Sequence, residues 1–160
     1  MRGWPVVLVA AMMMAVMSWW NRSLQTPVAP DGILSLEFAW RAERALAIVT
    51  SWRDAGVHDT ALRLQTLDLV FPLVYAQAAA VLMAAAASWR GAVGSVGAWL
   101  ALPYLAALFD TIENFVLLIA LNGPVATWGM RIGSSAAALK FGLLVGVVVF
   151  IGWRAAPRRA

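Results

Sequence analysis

Three acidic residues and one lysine fall inside stretches of the chain that are otherwise apolar: Asp68, Asp110, Glu113 and Lys140. In the run Asp110-Thr111-Ile112-Glu113-Asn114, two carboxyls and a carboxamide are spaced i, i+3 and i+4, which lines them along one helix face. Asp68, Pro72 and Tyr75 are spaced i, i+4 and i+7 and share a face of another segment, while Gln77 points elsewhere. Tyr104, six residues from Asp110, shares its face only loosely. An ionisable group at mid-bilayer costs at least ~2.5–3.5 kcal/mol, so it normally faces a partner or a cavity.

That pattern supports several kinds of chemistry. Lys140 can neutralise one carboxylate, and Arg131, near a segment end, another. Two carboxylates held together share a proton and raise one apparent pKa. Such a pair suits proton transfer, cation binding or acid–base catalysis. Asn114 would orient a carboxylate and Tyr75 would supply a hydroxyl. The structural alternative is an interhelical network that fixes helix register. In that case Asp68 is solvated at an interface, Lys140 snorkels to the surface and the tyrosines pack.

The elements that must position these residues are transmembrane helices. Of 160 residues, 62% are hydrophobic and 12% charged, against about 45–50% and about 25% in a soluble domain. So small a globule has too little interior to hide that excess, whereas a bilayer solvates it. A ~30 Å core takes roughly 20 helical residues. Four segments qualify, at about 4–20, 63–88, 96–121 and 134–153. The first follows Arg2 like a signal peptide but shows no convincing cleavage site, and Trp19–Trp20 suits an interfacial anchor. The second could begin near Thr60, capped by Asp59. The third is long, and is expected to tilt, kink at Pro103 or start as an interfacial stretch near Gly94 and Gly97. Asn122-Gly123-Pro124 ends it. In the fourth, Gly142 and Gly146 form a small-xxx-small pair suited to close packing within the bundle or between copies in a homo-oligomer.

Between the first two spans, Ile33 to Trp52 reads as one amphipathic helix. Leu36, Ala39, Ala42, Leu46 and Val49 recur at helical spacing, with Glu37 and Arg41 as an i,i+4 pair on another side. It would lie in the interface plane over the bundle end, or act as a lid. The expected fold is therefore an all-α integral membrane four-helix bundle, a single transmembrane domain with an amphipathic interfacial helix in its first loop.

Depth unites the polar residues. Counted from the first-loop side at ~1.5 Å per residue, Lys140 lies ~9 Å in, Glu113 and Tyr75 ~12 Å and Asp110 ~16 Å, with Asp68 close to the surface. Four spans put both termini on one side, with Arg2, Arg90, Arg154, Arg158 and Arg159 and no acidic residue. The other side holds Arg22, Arg41, Arg44, Arg53, Arg63 and Arg131, so the raw count is nearly tied, and it is arginine density near the membrane ends, in the C-terminal cluster, that favours the side of the termini as cytoplasmic.

Absent motifs narrow the function. With no cysteine, thiol catalysis and Cys-ligated metal are excluded. There is no phosphate loop, HExxH or GxSxG elbow. The single histidine, His58, stands at a helix start and makes no metal site, and the arginines at segment ends do not form the basic face of a nucleic-acid binder. The expected partners are the bilayer and a lipid or small-cation ligand. No cofactor is indicated.

The pairing of LDLVFPLVY (67–75) with LPYLAALFDTIEN (102–114) resembles a pattern in small bacterial four-helix membrane proteins of unassigned function. The resemblance implies architecture from the second span to the fourth, and no activity. Function is expected at an intramembrane acidic site of Asp68, Tyr75, Asp110, Glu113, Asn114 and Lys140. That site would bind or pass a small cation, proton or lipid headgroup. Acid–base catalysis on a lipid-soluble substrate and a purely structural role are the alternatives.

Overall fold

A computed structural model of the chain describes residues 3–88 and 97–156. Arg2, Arg90, Gly94, Arg158 and Arg159 lie outside the described residues, and so do the orientation arguments that rest on them. The described residues are all helical, with no strand. Four helices are long and apolar enough to cross a membrane: α1 (Trp4–Ser23), α5 (Phe71–Ser88), α6 (Ala101–Asn122) and α7 (Thr127–Ala155). Three shorter helices, α2 (Ile33–Glu37), α3 (Ala42–Asp54) and α4 (His58–Asp68), gather at the end of the bundle where α1 finishes and α7 begins.

The first-loop helix is not continuous. It ends at Glu37, and the chain leaves helical geometry over 38–41, with Trp40 at a φ of 58°. The backbone amides freed there are taken up by α7: Trp40 N donates to Ser134 Oγ at 3.1 Å and Ala42 N to Thr127 Oγ1 at 3.3 Å. The break undoes the Glu37–Arg41 pairing and turns Glu37 inward. The start of α2 is fixed from α1. Asn21 Oδ1 accepts from Ile33 N at 2.7 Å and Asn21 Nδ2 donates to Asp31 O at 3.2 Å. Gly32, at a φ of 62°, sits so close to Asn21 that a Cβ there would collide with it. Across the break, α3 lays Ala45, Ile48, Val49 and Trp52 on the bundle end, and Trp52 Nε1 donates to Leu24 O at 2.7 Å.

The second span is also interrupted. Proline at 72 has no N–H for the carbonyl of Asp68, four residues back, and its ring crowds that carbonyl. The chain accordingly turns at Leu69 and Val70, and α4 and α5 are separate helices. Asp68 is the last residue of α4 rather than part of a span. By contrast, Pro103 falls in the first turn of α6, where a missing N–H is harmless, so α6 has no interior proline to kink it. The last carbonyls of α6 are capped from the first loop, since Leu121 O accepts from His58 Nε2 at 2.9 Å and from Arg53 Nη2 at 3.3 Å.

At 29 residues, α7 starts seven residues before the expected 134, and its extra turns carry the anchors for Trp40 and Ala42. Its close approach to α6 is at Gly133, where a Cβ would meet the Val116 side chain at 2.9 Å. A Cβ at Gly142 would meet nothing within 4 Å among the described residues and one at Gly146 only Leu102 at 3.4 Å, so within the chain this pair is not where α7 comes closest to α6. The core divides in two. One part, around Leu24, Leu36, Ile48, Trp52, Leu117 and Leu121, lies under α3. The other, of Met83, Ala87, Val147 and Phe150, lies toward the opposite end. The polar cluster sits between them.

Candidate functional site

Lys140 is the centre of a buried acidic cluster. Its Nζ lies 2.8 Å from Glu113 Oε2, 3.1 Å from Asp110 Oδ1 and 3.3 Å from Glu37 Oε2. An ammonium has three N–H donors, and three carboxylates crowd around this one. The contacts to Asp110 and Glu37 are hydrogen bonds. Glu113 is placed as an ion pair outside hydrogen-bond alignment, fully buried, and its Oε1 has no partner. Phe141 covers the ammonium from the side, its ring centroid 4.8 Å from Nζ, and Phe38 stacks on Phe141 at 5.9 Å.

A fourth carboxyl belongs to the same neighbourhood. Asp68 is 6% exposed, yet its side chain makes no hydrogen bond or ion pair among the described residues. Burial pushes its carboxyl up to about 7, the nearby charges of Asp110 and Glu37 add to that rise, and Lys140 opposes it. The carboxyl is held in place through its backbone. Asn114 Nδ2 donates to Asp68 O at 2.8 Å, the carbonyl that Pro72 leaves free, and Asn114 Oδ1 accepts from Gln65 Nε2 at 2.5 Å.

These groups line one end of a cavity of about 710 Å³, within the ~300–1,000 Å³ typical of ligand pockets. Glu37, Asp68, Tyr75, Asp110 and Lys140 face it. The rest of its wall is mainly apolar. It is built from α1 (Val7 to Met17), α5 (Phe71 to Leu82) and the α7 face from Leu144 to Ile151. The Tyr75 hydroxyl lies beside Asp110 without a formed hydrogen bond. The cavity is a cleft between α1 and α7 with α5 as its floor. Met14 on one wall and Val148 on the other are exposed at its mouth.

Four of the six residues singled out from the sequence, Asp68, Tyr75, Asp110 and Lys140, therefore face a common cavity. Glu113 lies behind them against Lys140. Asn114 holds a backbone carbonyl and Gln65 instead of orienting a carboxylate. Arg131 is exposed and pairs with none of them. Glu37 and Gln65 were missed. The signal for Glu37 is its position four residues after Ile33 and one after Leu36, on the face that α2 buries. Gln65 stands one residue after the buried Leu64 in α4, and both are wholly inside. The described residues hold no group of three or more acidic or histidine ligands arranged for a metal ion. No protein-family model, no curated protein and no solved structure matches this chain.

Proposed function

We propose that this protein is a membrane-embedded binding protein whose polar site receives a cationic group beside Asp68. The observation that carries the reading is the Asp68 carboxyl itself, buried, unpartnered and facing the cavity, next to a lysine already ion-paired to three other carboxylates. A buried charge without a partner is costly. A cation entering the cavity relieves that cost, whereas an anion would face four carboxyl groups and one ammonium already neutralised by three of them. The Tyr75 hydroxyl and the accessible side of Asp110 complete the lining.

The test is equilibrium binding of tetramethylammonium to the full chain in nanodiscs. Saturable binding is expected in the natural sequence and its loss in Asp68→Asn. Equal binding by the two proteins would overturn the reading. A second reading, acid–base catalysis on a lipid-soluble substrate, is favoured by one observation: Tyr75 and Asp110 sit side by side facing the cavity. It requires turnover that falls in both Tyr75→Phe and Asp110→Asn.

The site is read as lying in a bacterial inner membrane with both chain ends cytoplasmic. Arginine density in the sequence supports that side, and the likeness of the LDLVFPLVY and DTIEN segments to small bacterial membrane proteins supports the compartment. A C-terminal reporter that is active only outside the cytoplasm would reverse the orientation.

A further inference from the structure

We infer that the ligand is a single-chain cationic amphiphile, a membrane-resident molecule with an ammonium head and one long alkyl tail, that enters sideways from the bilayer between α1 and α7. This rests on the cation-binding reading and adds the tail and the route.

Shape and polarity carry it. The cleft is polar at one end only: beyond Tyr75 and Lys140, its walls on α5 and α7 are Ala78, Ala79, Leu82, Leu144, Val147 and Ile151. From Lys140 to Ile151 the α7 wall rises ~16 Å, and from Phe71 to Leu82 the α5 floor rises about the same. That is about half of a ~30 Å hydrocarbon core, the depth one lipid tail occupies. A small hydrated cation has no use for this apolar length. At about 710 Å³ the cavity has the size of a pocket for one small amphiphile, and a lipid with two full tails exceeds it.

The mouth faces lipid rather than water. The polar end is roofed by α2, which places Ile33, Leu34 and Glu37 over the cavity and is tied to α1 through Asn21. The side between α1 and α7 is where lining residues are exposed, Met14 at 52% and Val148 at 68%. Moreover, α1 packs chiefly on α5 and α4 and contains no buried residue. It is the wall that can yield with least loss of packing. Charge complementarity then sets the head. The carboxyl of Asp68, with Asp110 and Glu37 around it, lies at the closed end of the groove, where a tail lying along α5 would deliver an ammonium.

The absence of cysteine makes the test clean, because single cysteines report position without background. The probes are tetradecyltrimethylammonium, tetramethylammonium and tetradecanol, added to the full chain in nanodiscs, with the rate of N-ethylmaleimide labelling as readout. Ala11→Cys and Leu144→Cys place thiols on the two walls, and Val145→Cys, on the exposed face of the same helix and outside the cleft, is the reference. Tetradecyltrimethylammonium should slow labelling several-fold at Ala11→Cys and Leu144→Cys and leave Val145→Cys unchanged. The protection should disappear when Asp68→Asn is added. Tetramethylammonium should bind without protecting either wall, and tetradecanol should protect neither.

If tetramethylammonium binding depends on Asp68 but the long-chain cation protects neither wall, this inference fails and the cation site stands. If neither cation binds in an Asp68-dependent way, the cation site itself fails. Equal protection by tetradecanol would show a groove that selects tails without reading charge, and would overturn the amphiphile assignment.

Discussion

Asn114 Nδ2 donates to the backbone carbonyl of Asp68 at 2.8 Å, filling the place that the N–H of residue 72 would occupy were it not proline. A residue of the third span thereby completes a helix of the first loop and fixes the residue that faces the cavity. Leaving a buried carbonyl unsatisfied costs ~1–3 kcal/mol. Asn114→Leu should lower the thermal midpoint in detergent by that order and weaken cation binding as well. Pro72→Ala restores an N–H to residue 72, so adding it to Asn114→Leu should recover part of the lost stability. Identical midpoints for the single and double variants would contradict this role for Asn114.

Lys140→Met removes the only ammonium from a group of buried carboxyls. Breaking one side of a buried ion pair costs ~3–5 kcal/mol. The expected outcome is the largest loss of thermal stability of any single change at the site. Adding Glu113→Gln, which neutralises a partner, should recover part of it. A stable Lys140→Met protein would mean that the carboxyls are held apart from one another by other means.

Glu37 ties the first-loop cap to α7 through Lys140, beside the Trp40–Ser134 and Ala42–Thr127 hydrogen bonds. In Glu37→Gln the charge is lost while the shape is kept. Backbone hydrogen exchange should then rise over Ile33–Glu37 and the following 38–41, and stay unchanged over α6. Unaltered exchange in the cap would show that Ser134, Thr127 and Asn21 hold it without the ion pair.

The raised carboxyl of Asp68 gives a pH dependence of definite sign. Its folded pKa of about 7 lies above the usual 3.8, so the native state holds this proton more tightly than the unfolded chain. The ionisation penalty is absent below the usual value, grows as pH rises between the two, and is complete above about 7. Asp110 and Glu37 face Asp68 and raise its pKa, Lys140 lowers it, and Tyr75 stands nearby on α5. Asp68→Asn should therefore gain stability over the natural sequence as pH rises through this range, read from thermal midpoints. Binding of a permanently charged quaternary ammonium should strengthen over the same interval. Flat profiles would contradict both.

Much of the fold was legible in the sequence because a membrane span is a long-range average. About twenty apolar residues signal a helix whatever their order, and α1, α5, α6 and α7 follow. The breaks were harder to read. The 33–52 stretch has a continuous helical period, yet the chain leaves the helix at Trp40, where Ser134 and Thr127 on a distant helix accept from the amides of Trp40 and Ala42. No local signal encodes that. Asp68, Asp110 and Lys140 stood out because charge is rare in a span. Glu37 did not, since in a polar loop an acidic residue looks ordinary until the loop folds over a lysine. The Pro72 break was visible in type, but its consequence depended on Asn114 of another helix.

The placement of a cationic head beside Asp68 is tested most directly by anomalous diffraction. Crystals of the full chain would be soaked with tetradecyltrimethylarsonium, whose arsenic stands where an ammonium nitrogen would. The arsenic peak should lie against the Asp68 carboxyl at the closed end of the cleft between α1 and α7, and should be missing in Asp68→Asn. A peak elsewhere on the protein, or an occupied cleft end that persists in Asp68→Asn, would contradict the assignment.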